Sequence, residues 1–186
     1  MSKEDNKKKI IIMGMENAGK STIVKYLKIS NYEIPENPPD MNPTNKVERT
    51  VLADKNLIIW DFGGQEVYRN EYLEKPESYF HSVSYFYYVI DVQDYYRLFS
   101  SAMYFMAIYN VISKYSLDAR IVLLFHKWDP EFDPKKKNLK EKFLEKVQPY
   151  LEKRNTAYLM FDTSIFSPNT IKSAFNIDLI KTNIGL

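Results

Sequence analysis

Eight consecutive residues, Gly14-Met15-Glu16-Asn17-Ala18-Gly19-Lys20-Ser21, fit the pattern G-x-x-x-x-G-K-S/T. An apolar run, Ile10-Ile11-Ile12-Met13, precedes them, and Lys20 to Ile29 follows with apolar residues at a helical spacing, Ile23, Tyr26 and Leu27. A strand before and a helix after is the context that gives this pattern its meaning. The glycines let the backbone curl until its N–H groups point at one centre. The next helix adds the positive end of its dipole, and the result cradles phosphates. Lys20 would reach the β- and γ-phosphates and the Ser21 hydroxyl would bind Mg²⁺, with Glu16, Asn17, Ala18, Gly19 and Thr22 completing the nucleotide-binding stretch. The bland alternative is a glycine turn joining a strand to a helix. Both glycines, the lysine and the serine together speak against it.

Roughly forty residues downstream of Lys20 comes Asp61-Phe62-Gly63-Gly64-Gln65. Asp61, at the end of an apolar run, can hold a water on the metal. Gly64 has no Cβ, so its N–H can approach a γ-phosphate. Gln65 can orient an attacking water, the part glutamine plays in phosphoryl transfer to water. A plain Gly-Gly turn with an exposed glutamine is the alternative. The loop upstream should supply a threonine to Mg²⁺. Thr44, after Pro43, is the choice; Thr50 is its rival but falls inside an expected strand.

Phe125-His126-Lys127-Trp128-Asp129 follows another apolar run. A carboxylate here accepts hydrogen bonds from guanine N1–H and its exocyclic amine. Adenine lacks that donor pair, so Asp129 discriminates by leaving the wrong base unpaired. The Lys127 stem would lie along the base. Thr163-Ser164-Ile165 follows the last apolar run, where Ser164 and Ile165 can offer a backbone N–H to guanine O6. As a cap ahead of Pro130, Asp129 would have no such role. His126 stands in this nucleotide-binding stretch with Lys127 and Asp129, although a lone histidine beside an apolar strand is more often structural. His81 reads as a surface residue.

These residues need a frame that gathers them. The runs Ile10–Met13, Val47–Leu52, Leu57–Trp60, Val83–Ile90, Ile121–Phe125 and Tyr158–Phe161 read as strands, with a hairpin turn at 53–56. Lys20–Ile29, Tyr95–Tyr115, Lys135–Arg154 and Pro168–Ile180 read as helices, while Glu66–Phe80 is ambiguous. Asn31–Asn45 holds four prolines and reads as a long functional loop. Alternation of strand and helix predicts an α/β domain with a mostly parallel sheet and helices on both faces. In such sheets ligands sit at the carboxyl ends of the strands, which is where the chemistry-bearing segments fall.

The bulk numbers agree. The chain has 186 residues, which suits one domain, 1–186, with residues 1–8 as a flexible basic tail. A net charge of +2 is too small to imply nucleic acid. There are no cysteines, which excludes disulfides, thiolate metal sites, prenylation and palmitoylation. Ser2 excludes myristoylation, so no direct lipid anchor is expected. No signal peptide and no membrane-length apolar run is present, which predicts a soluble cytoplasmic protein that meets membranes only through a partner. Eight aromatics fall between Tyr79 and Tyr96. Tyr85–Tyr88 should be core, since strands favour aromatics, and the rest could form a partner platform. Lys135-Lys136-Lys137 reads as a solvated helix start.

The four segments, in this order, resemble the Ras superfamily over nearly the whole chain. The phosphate loop is similar to that of the Arf family. Pro43-Thr44 and Trp60-Asp61-Phe62-Gly63-Gly64-Gln65 suit both Arf and Rag proteins. His126-Lys127-Trp128-Asp129, Thr163-Ser164-Ile165 and the long stretch 66–80 look more like Rag. The resemblance implies a three-layer phosphate-loop G domain: a six-stranded, mostly parallel sheet with one antiparallel edge strand and five helices. It also implies GTP/GDP and Mg²⁺ as ligands, two nucleotide states, and effector, activating and exchange proteins as partners. Trp60 and Tyr79 resemble positions that Arf proteins use for effectors. A dimer with another GTPase is suggested by the Rag side, although no counterpart of the Rag carboxy-terminal dimerisation domain is found. Nor is there a counterpart of the Arf amino-terminal helix and its glycine, and the loop between Thr44 and Val47 is shorter than in Arf.

Three functions compete. The first is a GTP-hydrolysing molecular switch of Rag/Arf type. The second is a GTP-binding scaffold with little or no hydrolysis. The third is a phosphate-loop kinase or ATPase, against which Lys127 and Asp129 argue. Gln65 favours the first over the second, while Glu16 crowds the place where a partner's arginine would enter. Arg49 and Arg69 are candidate arginines from within the chain. An incoming arginine is worth about 10³ to 10⁵ in rate, so turnover should be slow without an activating protein.

Overall fold

The computed structural model describes residues 7–28, 42–53, 56–132 and 138–176. Six strands form one sheet: β1 (Lys8–Gly14), β2 (Val47–Leu52), β3 (Leu57–Phe62), β4 (Val83–Asp91), β5 (Arg120–His126) and β6 (Tyr158–Thr163), in the order β2-β3-β1-β4-β5-β6. Every neighbouring pair is parallel except β2 with β3, which run antiparallel from Val47↔Phe62 to Leu52↔Leu57. Among the described residues five α-helices accompany them: α1 (Lys20–Lys28), α2 (Glu66–Glu74), α3 (Leu98–Tyr115), α4 (Leu139–Glu152) and α5 (Pro168–Ala174).

The central strands are apolar on both sides because both faces are covered. Alternate residues of β1 divide between two cores. Ile11 and Met13 join Phe86, Tyr88, Phe105, Ile112 and Phe143 on the α2–α3–α4 side. Ile10 and Ile12 join Ile23, Leu27, Tyr87, Ile171 and Phe175 on the α1–α5 side. Each fully buried side chain of this size contributes on the order of 1.5–3 kcal/mol relative to exposure. The two most deeply buried tyrosines of β4 find partners for their hydroxyls. Tyr87 donates to the Ala174 carbonyl at 2.8 Å and Tyr88 to the Ser101 carbonyl at 2.8 Å. Tyr85 to Tyr88 are therefore core, as β-propensity implies, whereas Tyr95 and Tyr96 are exposed.

Several boundaries differ from the sequence reading. Lys8, assigned to a flexible tail, pairs with Leu57 in β1. β3, β5 and β6 run one or two residues further, so that Asp61, His126 and Thr163 stand on strand ends rather than in loops. Polar residues end those strands without breaking the ladder, which hydropathy alone does not reveal. α3 begins at Leu98, not Tyr95, because Asp94 takes the Arg97 N–H at 3.1 Å and holds the preceding residues as turns. The ambiguous stretch 66–80 is α2 followed by a 3₁₀ turn at Pro76–Ser78. α4 starts at Leu139, and Lys135-Lys136-Lys137 lie outside the described residues, as do most of the proline-rich loop and residues 177–180 of the expected last helix. No described helix is long and apolar enough to cross a membrane.

Candidate functional site

The carboxyl ends of β1, β3, β5 and β6 bring the candidate residues to one edge of the sheet. Gly14 closes β1 with φ +150°, and a Cβ there would lie 2.4 Å from the Val89 carbonyl oxygen. Asn17 is left-handed, with φ +60°, a conformation asparagine accepts more readily than most residues. Ala18 is buried, and Thr22 is half-buried on the first turn of α1. Lys20 is 5% exposed and donates to the Met15 carbonyl at 2.7 Å. Burial lowers its pKa to about 8, Asp61 opposing the shift. A buried ammonium with so few partners is costly, and phosphate oxygens in the loop would relieve that cost.

Ser21, Thr44 and Asp61 converge although they are far apart in sequence. The Ser21 hydroxyl donates to Asp61 Oδ2 at 2.5 Å and lies 2.6 Å from Thr44 Oγ1, which reaches Asp61 Oδ2 at 3.2 Å. Thr50 is buried in β2 opposite Ile59 and takes no part. The two residues after Thr44 hold it in place. The Gly63 N–H and the Tyr72 hydroxyl both donate to the Lys46 carbonyl, at 2.7 Å and 2.5 Å, and Tyr68 donates to Asn45 Oδ1 at 2.8 Å. Asp61 is 2% exposed, burial raises its pKa, and its Oδ1 is buried without a hydrogen-bond partner. Two hydroxyls and one carboxylate form a hard-oxygen donor set that suits Mg²⁺ completed by waters and phosphate. The orphaned carboxylate oxygen is the acceptor a metal-bound water would use, so the residues fit the ion.

Gly64 packs against the phosphate loop, where an added Cβ would come within 2.3 Å of the Glu16 nitrogen and 2.4 Å of the Met15 carbonyl carbon. Gln65 starts α2, and its carbonyl accepts from Tyr68 and Arg69. Its half-exposed side chain is not used to cap the helix. Glu16 is exposed and pairs with Arg97 at 3.1 Å. Of the arginines considered from sequence, Arg49 lies over the Trp60 ring at 3.9 Å. Arg69 sits over Tyr104 and reaches Met15 Sδ at 3.4 Å. Arg97 escapes a reading of the sequence, because no local pattern marks it.

At the other end of the site, Asp129 Oδ1 accepts from the Ser164 hydroxyl at 2.7 Å and Oδ2 from Gln93 Nε2 at 3.0 Å. Lys127 has φ +71°, and its ammonium pairs with Asp91 at 2.6 Å. The Ser164 N–H is taken by Thr170 Oγ1 at 3.2 Å, and Ile165 is buried against the α1–α5 core. His126 is 2% exposed, with Nδ1 2.9 Å from Thr163 Oγ1. A Cβ on Gly19 would lie 2.5 Å from its ring, so the imidazole fills the space that the glycine leaves open. Burial, and Lys127 next to it, lower its pKa to about 3, which keeps it neutral. His126 thus joins the base loop to the phosphate loop by packing. Asp91 and Gln93 likewise go unmarked in the sequence, where they are ordinary polar residues after a strand. His81 is exposed, as expected, with its ring edge-on to Tyr115.

Strand order, phosphate loop and base loop together define the class of this protein, a Ras-superfamily G domain. The family model described as the Gtr1/RagA G protein conserved region matches residues 9–180. The chain belongs to that family. It is 32% identical over 129 residues to the GTP-binding protein GTR1 of Saccharomyces cerevisiae, covering 67% of this chain and 41% of that protein. It is 31% identical over 86 residues to human ADP-ribosylation factor-like protein 5A, covering 46% of this chain and 44% of the relative. With ADP-ribosylation factor-like protein 3 of Chlamydomonas reinhardtii it shares 33% over 103 residues, 54% of this chain and 52% of the relative. The chain therefore spans about half the length, or less, of these relatives. The mixed Rag and Arf likeness read from the motifs matches this mixture of relatives.

Proposed function

We propose that the protein binds GTP and GDP with Mg²⁺ and hydrolyses GTP slowly unless assisted. We further propose that its shape follows the presence of the γ-phosphate. The convergence of Ser21, Thr44 and Asp61 beside the phosphate loop carries this reading. The ion would shield phosphate charge and draw electrons from the transferred group. Lys20 and the loop N–H groups would hold the β- and γ-phosphates. Thr44 and Gly64 come from the two segments flanking the site, so loss of the γ-phosphate would release both. Gln65 would hold the attacking water in line, and positioning is most of the catalysis in this chemistry. The whole chain would act as a single G domain in the cytoplasm, meeting effectors, exchange factors and activating proteins, and dimerising with another GTPase.

A second reading, a GTP-binding scaffold, is favoured by Glu16, whose side chain occupies the loop rim where a partner's arginine would enter. One pair of experiments separates the two. Calorimetry with Mg²⁺ should show GTP binding far more tightly than ATP; equal affinity would remove the guanine reading. Single-turnover hydrolysis should be slow in the wild type and about tenfold or more slower in Gln65→Leu, with GTP affinity retained. Equal rates at the level of GTP in buffer would establish the scaffold instead.

A further inference from the structure

The segment from Asp91 to Arg97, which joins β4 to α3, touches both ends of the candidate nucleotide site. At the base end, Asp91 divides its carboxylate: Oδ1 accepts the Gln93 N–H at 2.8 Å and Oδ2 the Lys127 ammonium at 2.6 Å. The Gln93 amide then donates twice from one nitrogen, to the Lys127 carbonyl at 2.7 Å and to Asp129 Oδ2 at 3.0 Å. The Val92 N–H also bonds to the His126 carbonyl at 3.0 Å. At the phosphate end, Arg97 bonds Asp94 through Nε and through its backbone N–H, and pairs with Glu16 at 3.1 Å. Gln93 is therefore a side chain on a segment fixed at both ends, not a free group on a loop.

We propose that Gln93 is a positioning residue for guanine readout: its amide holds the Asp129 carboxylate and the Lys127 backbone in the orientation that accepts both guanine donors. The proposal rests on the guanine-nucleotide reading given above. A carboxylate can swing about its last torsion, and two acceptors serve the N1–H and the exocyclic amine together only at one setting. Ser164 fixes one oxygen and Gln93 the other. Each oxygen keeps a second lone pair for the base. Gln93 lies on the exposed rim, where a bound base would exclude water and strengthen the contact. The left-handed Lys127 adds a second need, since its backbone is the part of the loop least able to hold itself, and Gln93 takes its carbonyl.

The discriminating ligand is inosine diphosphate, which keeps the N1–H and lacks the exocyclic amine. Competition of GDP, IDP and ADP against a fluorescent GDP analogue, with Mg²⁺, gives the three affinities for wild type, Gln93→Ala and Gln93→Glu. Wild type should prefer GDP over IDP and IDP over ADP. In Gln93→Ala the preference of GDP over IDP should fall about tenfold or more, as expected for one lost charge-assisted hydrogen bond. Gln93→Glu keeps the shape but has no proton to give, so it should lose at least as much. A ratio, measured on one preparation, is insensitive to the fraction folded. If both variants weaken GDP and IDP equally, or leave the ratio unchanged or higher, Gln93 has only a structural part and the proposal is overturned. If wild type itself fails to prefer GDP over ADP, the guanine reading fails first and takes this proposal with it.

Discussion

Under the proposed guanine reading, Asp129 is the residue on which the choice of base turns. Its two oxygens face different donors, the Ser164 hydroxyl and the Gln93 amide. A hydroxyl can reverse and accept, but an amide nitrogen cannot. Asp129→Asn would therefore turn its new NH₂ toward Ser164 and keep its oxygen toward Gln93. One acceptor for guanine is lost and one donor gained, a surface that suits xanthine. Guanine affinity should fall at least tenfold, since a hydrogen bond to a charged group is worth about 1.5–3 kcal/mol, and xanthosine nucleotides should bind better than to wild type. Competition with GDP and XDP reads both, and unchanged GDP affinity would remove Asp129 from the site. The role proposed for Asp129 could be read from the sequence because a carboxylate after an apolar strand and a lysine is a local pattern. Its two partners could not, since they lie 35 and 36 residues away in the chain.

The elements act as fixed arms that bring loop residues into register. β3 delivers Asp61 to the Ser21 hydroxyl, and the turn after it delivers Gly64 to the phosphate loop. This contact leaves no room for a side chain, because the neighbours of a Cβ at position 64 would be backbone atoms of Met15 and Glu16 at 2.3–2.6 Å. Gly64→Ala must therefore push the start of α2 away from the loop. The expected result is a protein that keeps GDP affinity within about threefold, because overpacking of about 1–3 kcal/mol falls on the γ-phosphate side. Its preference for GTP over GDP should be lost, along with hydrolysis. Equal retention of GTP binding and turnover would show that the contact opens without cost. The sequence marked the glycine pair, while the identity of the atoms it approaches came only from packing β3 beside β1.

Across the whole molecule, stability should depend on pH through His126. Burial holds it at a pKa of about 3 in the fold, against about 6.5 in the unfolded chain. The unfolded state thus takes up a proton that the folded state refuses. The stability due to neutral His126 is complete above about pH 6.5 and declines as pH falls from there toward 3, by up to about 1.4 kcal/mol per pH unit. His126→Asn should flatten the denaturation midpoint between pH 6.5 and 5 relative to wild type; parallel curves would show that the imidazole titrates normally. The layered α/β fold, the phosphate loop, the glycine pair and Asp129 are determined by the sequence alone, because periodicity, glycine placement and short motifs are properties of neighbouring residues. The sequence favours Thr44 over Thr50, which lies in a strand, while tertiary structure alone decided how closely Thr44 meets Ser21 and Asp61 and that His126 is buried against Gly19. Tertiary structure also decided that Asp91, Gln93 and Arg97 tie the base loop to the phosphate loop. The physical reason is register. Which side chains from separate loops face one another is set by how β1, β3, β4, β5 and β6 align in the sheet, and no local run of residues encodes that alignment by itself.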